Sequence, residues 1–242
     1  MEIAEYRKMY ELEGKYWWWV GRRLIFRNIL GKLNMGRTTV ILDVGCGTGI
    51  NLDWLKEYGS VTGLDISKYA LDFCKRRGHN TVIQGDAESL PFPSNRFDIM
   101  MALDILEHLD DDKALEEFHR VLKPNGYLVL NVPAFNSLWS RHDEALHHKR
   151  RYNKAQLTDI IESKHFRIKR LSYWNFFLFL PVAMARLMSQ HRKNREIRTD
   201  LEELPNVVND FLAMILRIES HLLQRINLPV GVSLMCVAKA DK

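Results

Sequence analysis

Residues 40–52 read VILDVGCGTGINL. The first five are an apolar run closing on Asp43 and Val44, the pattern of a strand buried on both faces. The rest place Gly45, Gly47 and Gly49 at alternate positions before a helix opens. Glycine lacks the Cβ that keeps backbone N–H groups away from a ligand, and a helix N-terminus favours an anion. A second apolar strand, Val61–Leu64, ends in Asp65 sixteen residues past Gly49. An acid at that place suits the two hydroxyls of a ribose.

A dinucleotide site uses G-x-G-x-x-G, and this chain has Ile50 where the third glycine would stand. The ordered set here is Asp43-x-Gly45-x-Gly47-x-Gly49, Asp65, Gly85-Asp86-Ala87, Phe97–Leu103, Glu107-His108, then Val121–Gly126 leading into Tyr127–Asn131. That set resembles the class I S-adenosylmethionine-dependent methyltransferases, within the broad group of quinone and small-molecule methyltransferases. The likeness covers about residues 38–173.

The resemblance implies an α/β fold, a doubly wound Rossmann-like sheet of seven strands with the last antiparallel, and S-adenosyl-L-methionine as cofactor with S-adenosyl-L-homocysteine as product. It places Asp65 at the ribose and Asp86 with Ala87 at the adenine edge, with Ile66 among the cofactor-binding residues. The loop Gly45-Cys46-Gly47-Thr48-Gly49 falls to the methionine portion, Leu103 walls the methyl group, and Asp43 is a further cofactor-binding residue. Clustered aromatics such as Tyr16–Trp19 more often form core or a packing surface than a binding site, yet an N-terminal helical segment covers the cofactor in many members, which makes Trp18 and Arg22 second-tier candidates for the mouth of the site.

Strand and helix patterns alternate along the chain as a parallel sheet with right-handed crossovers requires. Helices are expected over about residues 48–58, after Ser67 as cap with Gly78 as stop, and after Asp110–Asp112, with Leu115, Phe118, Val121 and Leu122 inward. Asn153 and Gln156 form a candidate capping pair for a further helix. Val230–Ala238 reads as the final strand. One methyltransferase domain over 1–242 is expected, built from a helical cap (1–37), a cofactor core (38–174), a helical insertion (175–229) and the last strand (230–242).

The 242 residues are 46% hydrophobic and 27% charged, enough for a full core. Cys46, Cys74 and Cys236 lie far apart in sequence, with neither disulfide nor metal-knuckle spacing, so a reducing, cytoplasmic compartment is expected. The N-terminus has no apolar run of signal-peptide type. The net charge of +5 gives non-specific attraction to any polyanion, but no RNA-binding module is visible. RNA is the alternative acceptor class, and a non-catalytic cofactor-binding subunit is the third reading; a damaged cofactor motif would mark the latter, and the motif is whole.

After the fourth strand stands Ala102-Leu-Asp-Ile-Leu-Glu107-His108, without the Asn-Pro-Pro-aromatic tetrad of amino-directed members and without a cysteine for attack on a pyrimidine. These absences lower the amino-directed and pyrimidine-directed classes, and an O-directed enzyme acting on a small or lipid-linked acceptor is the reading preferred. Histidine is neutral near physiological pH and can take a proton, so His148, His142 and His108 are the candidate bases. Arg151 and Tyr152 after His148 are candidates to orient an anionic acceptor, and Asp143 to orient His142. Asp104, Glu107 and His108 resemble a metal arrangement of some family members, but with Asp where those carry Glu, and no metal is expected. Arg150 and Arg151 also suit solvent or carboxylate partners.

The insertion begins with the apolar stretch Trp174–Ala185, shorter than the ~20 residues of a membrane span and broken by Pro181. The basic run His191–Arg195 and an amphipathic stretch with Val208, Phe211, Leu212, Ile215, Leu222 and Ile226 follow. A helical hairpin, over the sheet or in a homodimer interface, is one reading; peripheral contact with the inner membrane face through 175–195 is the other.

Overall fold

A computed structural model describes residues 3–33, 36, 38–190 and 203–242. Among these, seven strands form one sheet: β1 (Val40–Val44), β2 (Ser60–Asp65), β3 (Val82–Gln84), β4 (Phe97–Leu103), β5 (Leu122–Pro133), β6 (Phe166–Trp174) and β7 (Ser233–Ala240). Their order across the sheet is β3-β2-β1-β4-β5-β7-β6, with β7 antiparallel. Strands β2, β1, β4 and β5 are mutually parallel, with Asp43 opposite Gly63 on one side and Met101 on the other. The strand order reverses beside β1, so the carboxyl ends of β1 and β4 open at the switch point where such sheets bind ligands.

Residue contacts group the chain into two compact units. The sheet unit comprises Asn34–Val132, Lys154–Leu171 and Met235–Lys242; the helical unit comprises Met1–Leu33, Pro133–Asn153 and Ser172–Leu234.

In the sheet unit, α3 (Ile50–Leu55), α4 (Lys68–Arg76), α5 (Asp111–Val121) and α7 (Lys154–Ser163) join the strands. Ser67 caps α4 by accepting from the Ala70 N–H, and Gly78 follows the helix at φ 85°. Asp110 caps α5 through the Lys113 N–H. Two expectations change here. The helix after the glycine loop is only Ile50–Leu55 rather than 48–58, because the left-handed Gly49 delays its start and turns close its end before Gly59. Leu122 is not on α5 but opens β5, opposite Phe97, where the chain has already become extended. The core between the layers includes Ile41, Leu42, Ile99, Met100, Leu115, Phe118, Leu128 and Leu130, all at most 1% exposed. Burial of each such side chain stabilises the fold by about 1.5–3 kcal/mol before entropy is counted.

In the helical unit, α1 (Ile3–Leu12) and α2 (Trp17–Leu30) accompany α6 (Arg141–Ala145), α8 (Phe179–Gln190) and α9 (Asn206–Leu222). Helix α2 lies against α9 at Gly21, where an added Cβ would come within 2.2 Å of Leu216. The N-terminus of α2 has no cap from its own Tyr16; Asn209 of α9 accepts from the Trp17 N–H at 2.8 Å and donates to the Lys15 carbonyl at 3.0 Å. Pro181 does not break its segment. It sits in the first turn of α8, where a missing N–H costs nothing. The basic run His191–Arg195 lies outside the described residues.

Candidate active site

The glycine loop is held from three sides within the sheet unit. Gly45, Gly47 and Gly49 all take left-handed angles, at φ 68°, 55° and 89°. The Gly45 and Cys46 N–H groups bond the Leu64 carbonyl at 2.8 and 3.0 Å, which ties the loop to the end of β2. From α4, the Cys74 thiol donates to the Gly47 carbonyl at 3.2 Å, and Arg77 Nε donates to the Thr48 carbonyl at 3.0 Å. A Cβ on Gly45 would meet Ile105 at 2.9 Å, and one on Gly49 would meet the Cys74 sulfur at the same distance. The sequence demands glycine here for close approach as well as for sign of φ.

Asp65 closes the loop's far side. Its two carboxylate oxygens accept from the Gly47 and Ser67 N–H groups, each at 2.9 Å. Burial pushes its pKa up, and the bonds from Ser67 and Gly47 offset this only in part. Each oxygen keeps a second lone pair, so a diol can bond without displacing the loop. Ile66 beside it is 67% exposed. Asp86 is exposed after β3, with one oxygen accepting from the Glu88 N–H at 2.9 Å, and Ala87 is buried next to it. Asp43 and Leu103, at the ends of β1 and β4, are buried. All the core cofactor candidates therefore fall in one unit, on the switch-point edge.

Asp104 follows Leu103 at φ 58° and is held by Asn131 of β5, whose side chain donates to its carboxylate at 2.6 Å and whose carbonyl accepts its N–H at 2.9 Å. Glu107 and His108 form a short 3-10 turn, with Glu107 buried and His108 half-buried.

The other two candidate bases, His142 and His148, belong to the helical unit. Asp143, wholly buried on α6, accepts from His148 Nδ1 at 2.8 Å, from Arg151 Nε at 2.8 Å and from Arg151 Nη2 at 3.0 Å. The Ser140 N–H and hydroxyl add bonds at 2.8 and 3.2 Å, completing a capping box for α6. Burial alone would raise the Asp143 carboxyl, yet the His148 bond and the Arg151 charge outweigh it and hold the group well below the usual carboxylate range. An ionised Asp143 accepts from Nδ1, so a neutral His148 carries its lone pair on Nε2. This corrects two expectations: Asp143 orients His148 rather than His142, and Arg151 is a buried partner of Asp143 and the Ala134 carbonyl, not a group presented to an anionic acceptor. His142 packs edge-on against His148, with ring centroids 6.3 Å apart.

Trp18 and Arg22 also lie in the helical unit. The guanidinium sits 4.9 Å from the Trp18 ring centre, and Trp18 meets Trp19 and Trp174 at 6.0 and 5.9 Å. One juxtaposition had no signal in the sequence. Cys46 of the glycine loop and Cys74 of α4, 28 residues apart, are both buried with sulfurs 4.0 Å apart. The bond with Cys74 and burial raise the Cys46 thiol well above its usual range.

Comparison with known proteins places this geometry. A family model described as methyltransferase domain matches residues 42–130. An uncharacterized protein of Methanocaldococcus jannaschii is 32% identical over 161 residues, covering 65% of this chain and 68% of its own length. The chain belongs to the class I S-adenosylmethionine-dependent methyltransferases. Within that family, the fatty-acid O-methyltransferase of Mycolicibacterium smegmatis is 39% identical over 98 residues, 37% of this chain and 35% of that one. The demethylmenaquinone methyltransferase of Staphylococcus epidermidis is 33% identical over 132 residues, 47% and 54% respectively. The chain spans about half the length of the curated relatives it matches. The structure titled as a complex between the Haloferax volcanii Trm112 methyltransferase activator and a methyltransferase shares the fold, with a TM-score of 0.64 at 17% identity over 99% of this chain and 94% of that one.

The family cofactor is S-adenosyl-L-methionine, and residues of this chain fit it. The loop sets three left-handed glycines ahead of a helix start, Asp65 presents acceptor lone pairs for a diol, and Asp86 stands exposed to accept from an exocyclic amine.

Proposed function

We propose that this methyltransferase methylates an oxygen of a small or lipid-linked acceptor, with His148 as the general base. The observation that carries the catalytic half is the Asp143–His148 pair. A buried ionised carboxylate fixes the imidazole in the tautomer whose Nε2 can take a proton, the arrangement a general base needs. The acceptor class is supported by relatives named for fatty acid, demethylmenaquinone and malonyl-acyl carrier protein substrates. It is supported also by the lack of an amide-holding tetrad after β4.

The bound cofactor supplies a methyl group on a sulfonium that is already a good leaving group. What remains for the chain is to hold and to deprotonate. Asp65 and Asp86 fix the nucleoside, the Gly45–Gly49 loop fixes the amino-acid portion, and Leu103 walls the reacting end, so the acceptor oxygen meets a fixed target. His148 holds the proton the oxygen gives up, and Asp143 compensates the imidazolium that forms. His142 against His148 and His108 after β4 are the remaining candidates to contact the acceptor.

The test is release of S-adenosylhomocysteine with panels of fatty acids, demethylated quinones and acyl-carrier esters, beside a total RNA sample. Turnover with an oxygen acceptor, lowered by about 10²–10⁴ in His148→Ala with S-adenosylhomocysteine affinity retained, is expected. Turnover on RNA alone, or full activity of His148→Ala, overturns it.

A further inference from the structure

Two helices of the helical unit leave apolar rows uncovered. On α8, Leu180, Met184 and Met188 recur every four residues and are 62–70% exposed; on α9, Phe211, Met214 and Ile218 repeat at three and four and are about half exposed. Single exposed apolar residues need no explanation, but repeated rows of this size mark a surface that meets something apolar. Among the described residues no helix is long and apolar enough to cross a membrane.

Charge says which surface. Among the described residues the helical unit carries fourteen Lys and Arg against eight Asp and Glu, whereas the sheet unit carries sixteen against eighteen, so the positive excess belongs to the unit with the exposed rows. On α9 itself and the turn that extends it, Arg217 and Arg225 are exposed with His221 midway between them, a row running beside the apolar one, and Asp210 is the exposed acid of this helix. Helix α8 contains no acidic residue.

We propose that α8 and α9 dock this protein on the surface of an anionic phospholipid bilayer, with the apolar rows at the acyl boundary and the basic row at the headgroups. Amphipathic helices with a basic flank bind such surfaces in this way. A second copy of the chain is a poorer occupant, because a two-fold interface through this face would bring two positively charged units together, and interface cores are depleted of charge. The proposal is independent of the methyl acceptor.

The experiment is co-sedimentation of the full chain with vesicles of phosphatidylcholine alone and with a quarter phosphatidylglycerol, at low and high salt. Binding to the anionic vesicles, reduced by salt, is expected. Arg217→Gln with Arg225→Gln should weaken it about thirtyfold. Met184→Ser with Phe211→Ser should weaken it at least tenfold at either salt. All four positions are exposed, and circular dichroism checks that each variant is folded. Hydrogen exchange on the unmodified chain gives a second readout: α8 and α9 should gain protection when anionic vesicles are added. No sedimentation with anionic vesicles overturns the proposal. So does binding that ignores both variants, a dimer in which these rows are protected without lipid, or retention of RNA in place of vesicles.

Discussion

Replacing Asp143 by Asn removes one charge from a site that leaves its partners no other solvent. The carboxylate is wholly buried and the Arg151 side chain is 2% exposed, so the guanidinium left behind cannot recover its hydration. Five bonds converge on the two oxygens, from Arg151 twice, Ser140 twice and His148 once. An Asn amide offers one acceptor oxygen and turns a donor NH2 toward the remaining donors. Breaking a buried pair from one side costs about 3–5 kcal/mol, a large part of the ~5–15 kcal/mol that holds a domain together. Denaturant titration followed by tryptophan fluorescence measures it, with attention to whether the slope stays that of a single transition. Asp143→Leu combined with Arg151→Met should be less damaging than Asp143→Asn, because the pair's desolvation cost leaves with both charges. The pH dependence has a definite sign. Asp143 has a depressed folded pKa, so its contribution is complete above the unfolded value of about 3.9 and is lost as pH falls through the folded one. A loss below about 1 kcal/mol for Asp143→Asn, the size of an exposed pair, refutes the reasoning.

Asp65→Ala should lower S-adenosylhomocysteine affinity at least tenfold by calorimetry, through the lost diol bonds and the released Gly47 N–H. Since burial raises the Asp65 pKa, affinity in the native chain should begin to fall, on acidification, at a higher pH than an ordinary aspartate would give. Gly49→Ala should cost about 1–3 kcal/mol in thermal or denaturant unfolding, because φ is 89° and the new methyl meets the Cys74 sulfur. Glu219 of α9, buried, accepts from the backbone N–H groups of Asn175, Phe176 and Phe177. Glu219→Leu should therefore destabilise by about 3 kcal/mol or more, and Glu219→Gln by less. Burial raises its pKa, so its contribution is full below the unfolded value and is lost as pH rises through the folded one.

The sheet and the cofactor edge were legible because their signals are local. Strand, glycine loop and acid lie within 26 residues, and Ser67 and Asp110 act on N–H groups three positions away. Pro181 misled as a breaker because its effect depends on which turn of a helix it occupies. The histidine cluster around Asp143 was legible in composition and not in pairing. Adjacency suggested Asp143 with His142, yet the turn after α6 brings His148 and Arg151 to the carboxylate instead. The Asn209 cap on α2 and the Glu219 anchor depend on residues 192 and 42–44 positions away, and no spacing rule carries such distances.

The thiols beneath the glycine loop are a built-in gauge. Cys74 is fully buried and Cys46 nearly so, with the loop closed over them. An alkylating reagent can reach Cys74 only when the segment opens, and its rate then reports the free energy of that opening. A ligand that binds only the closed loop raises this free energy by RT ln(1 + [L]/Kd), so labelling should slow about a hundredfold at a hundred times Kd. Cys236, buried in β7 away from the loop in sequence, serves as the internal reference by mass spectrometry. Cofactor affinity can thus be titrated in the native chain before any methyl acceptor has been found.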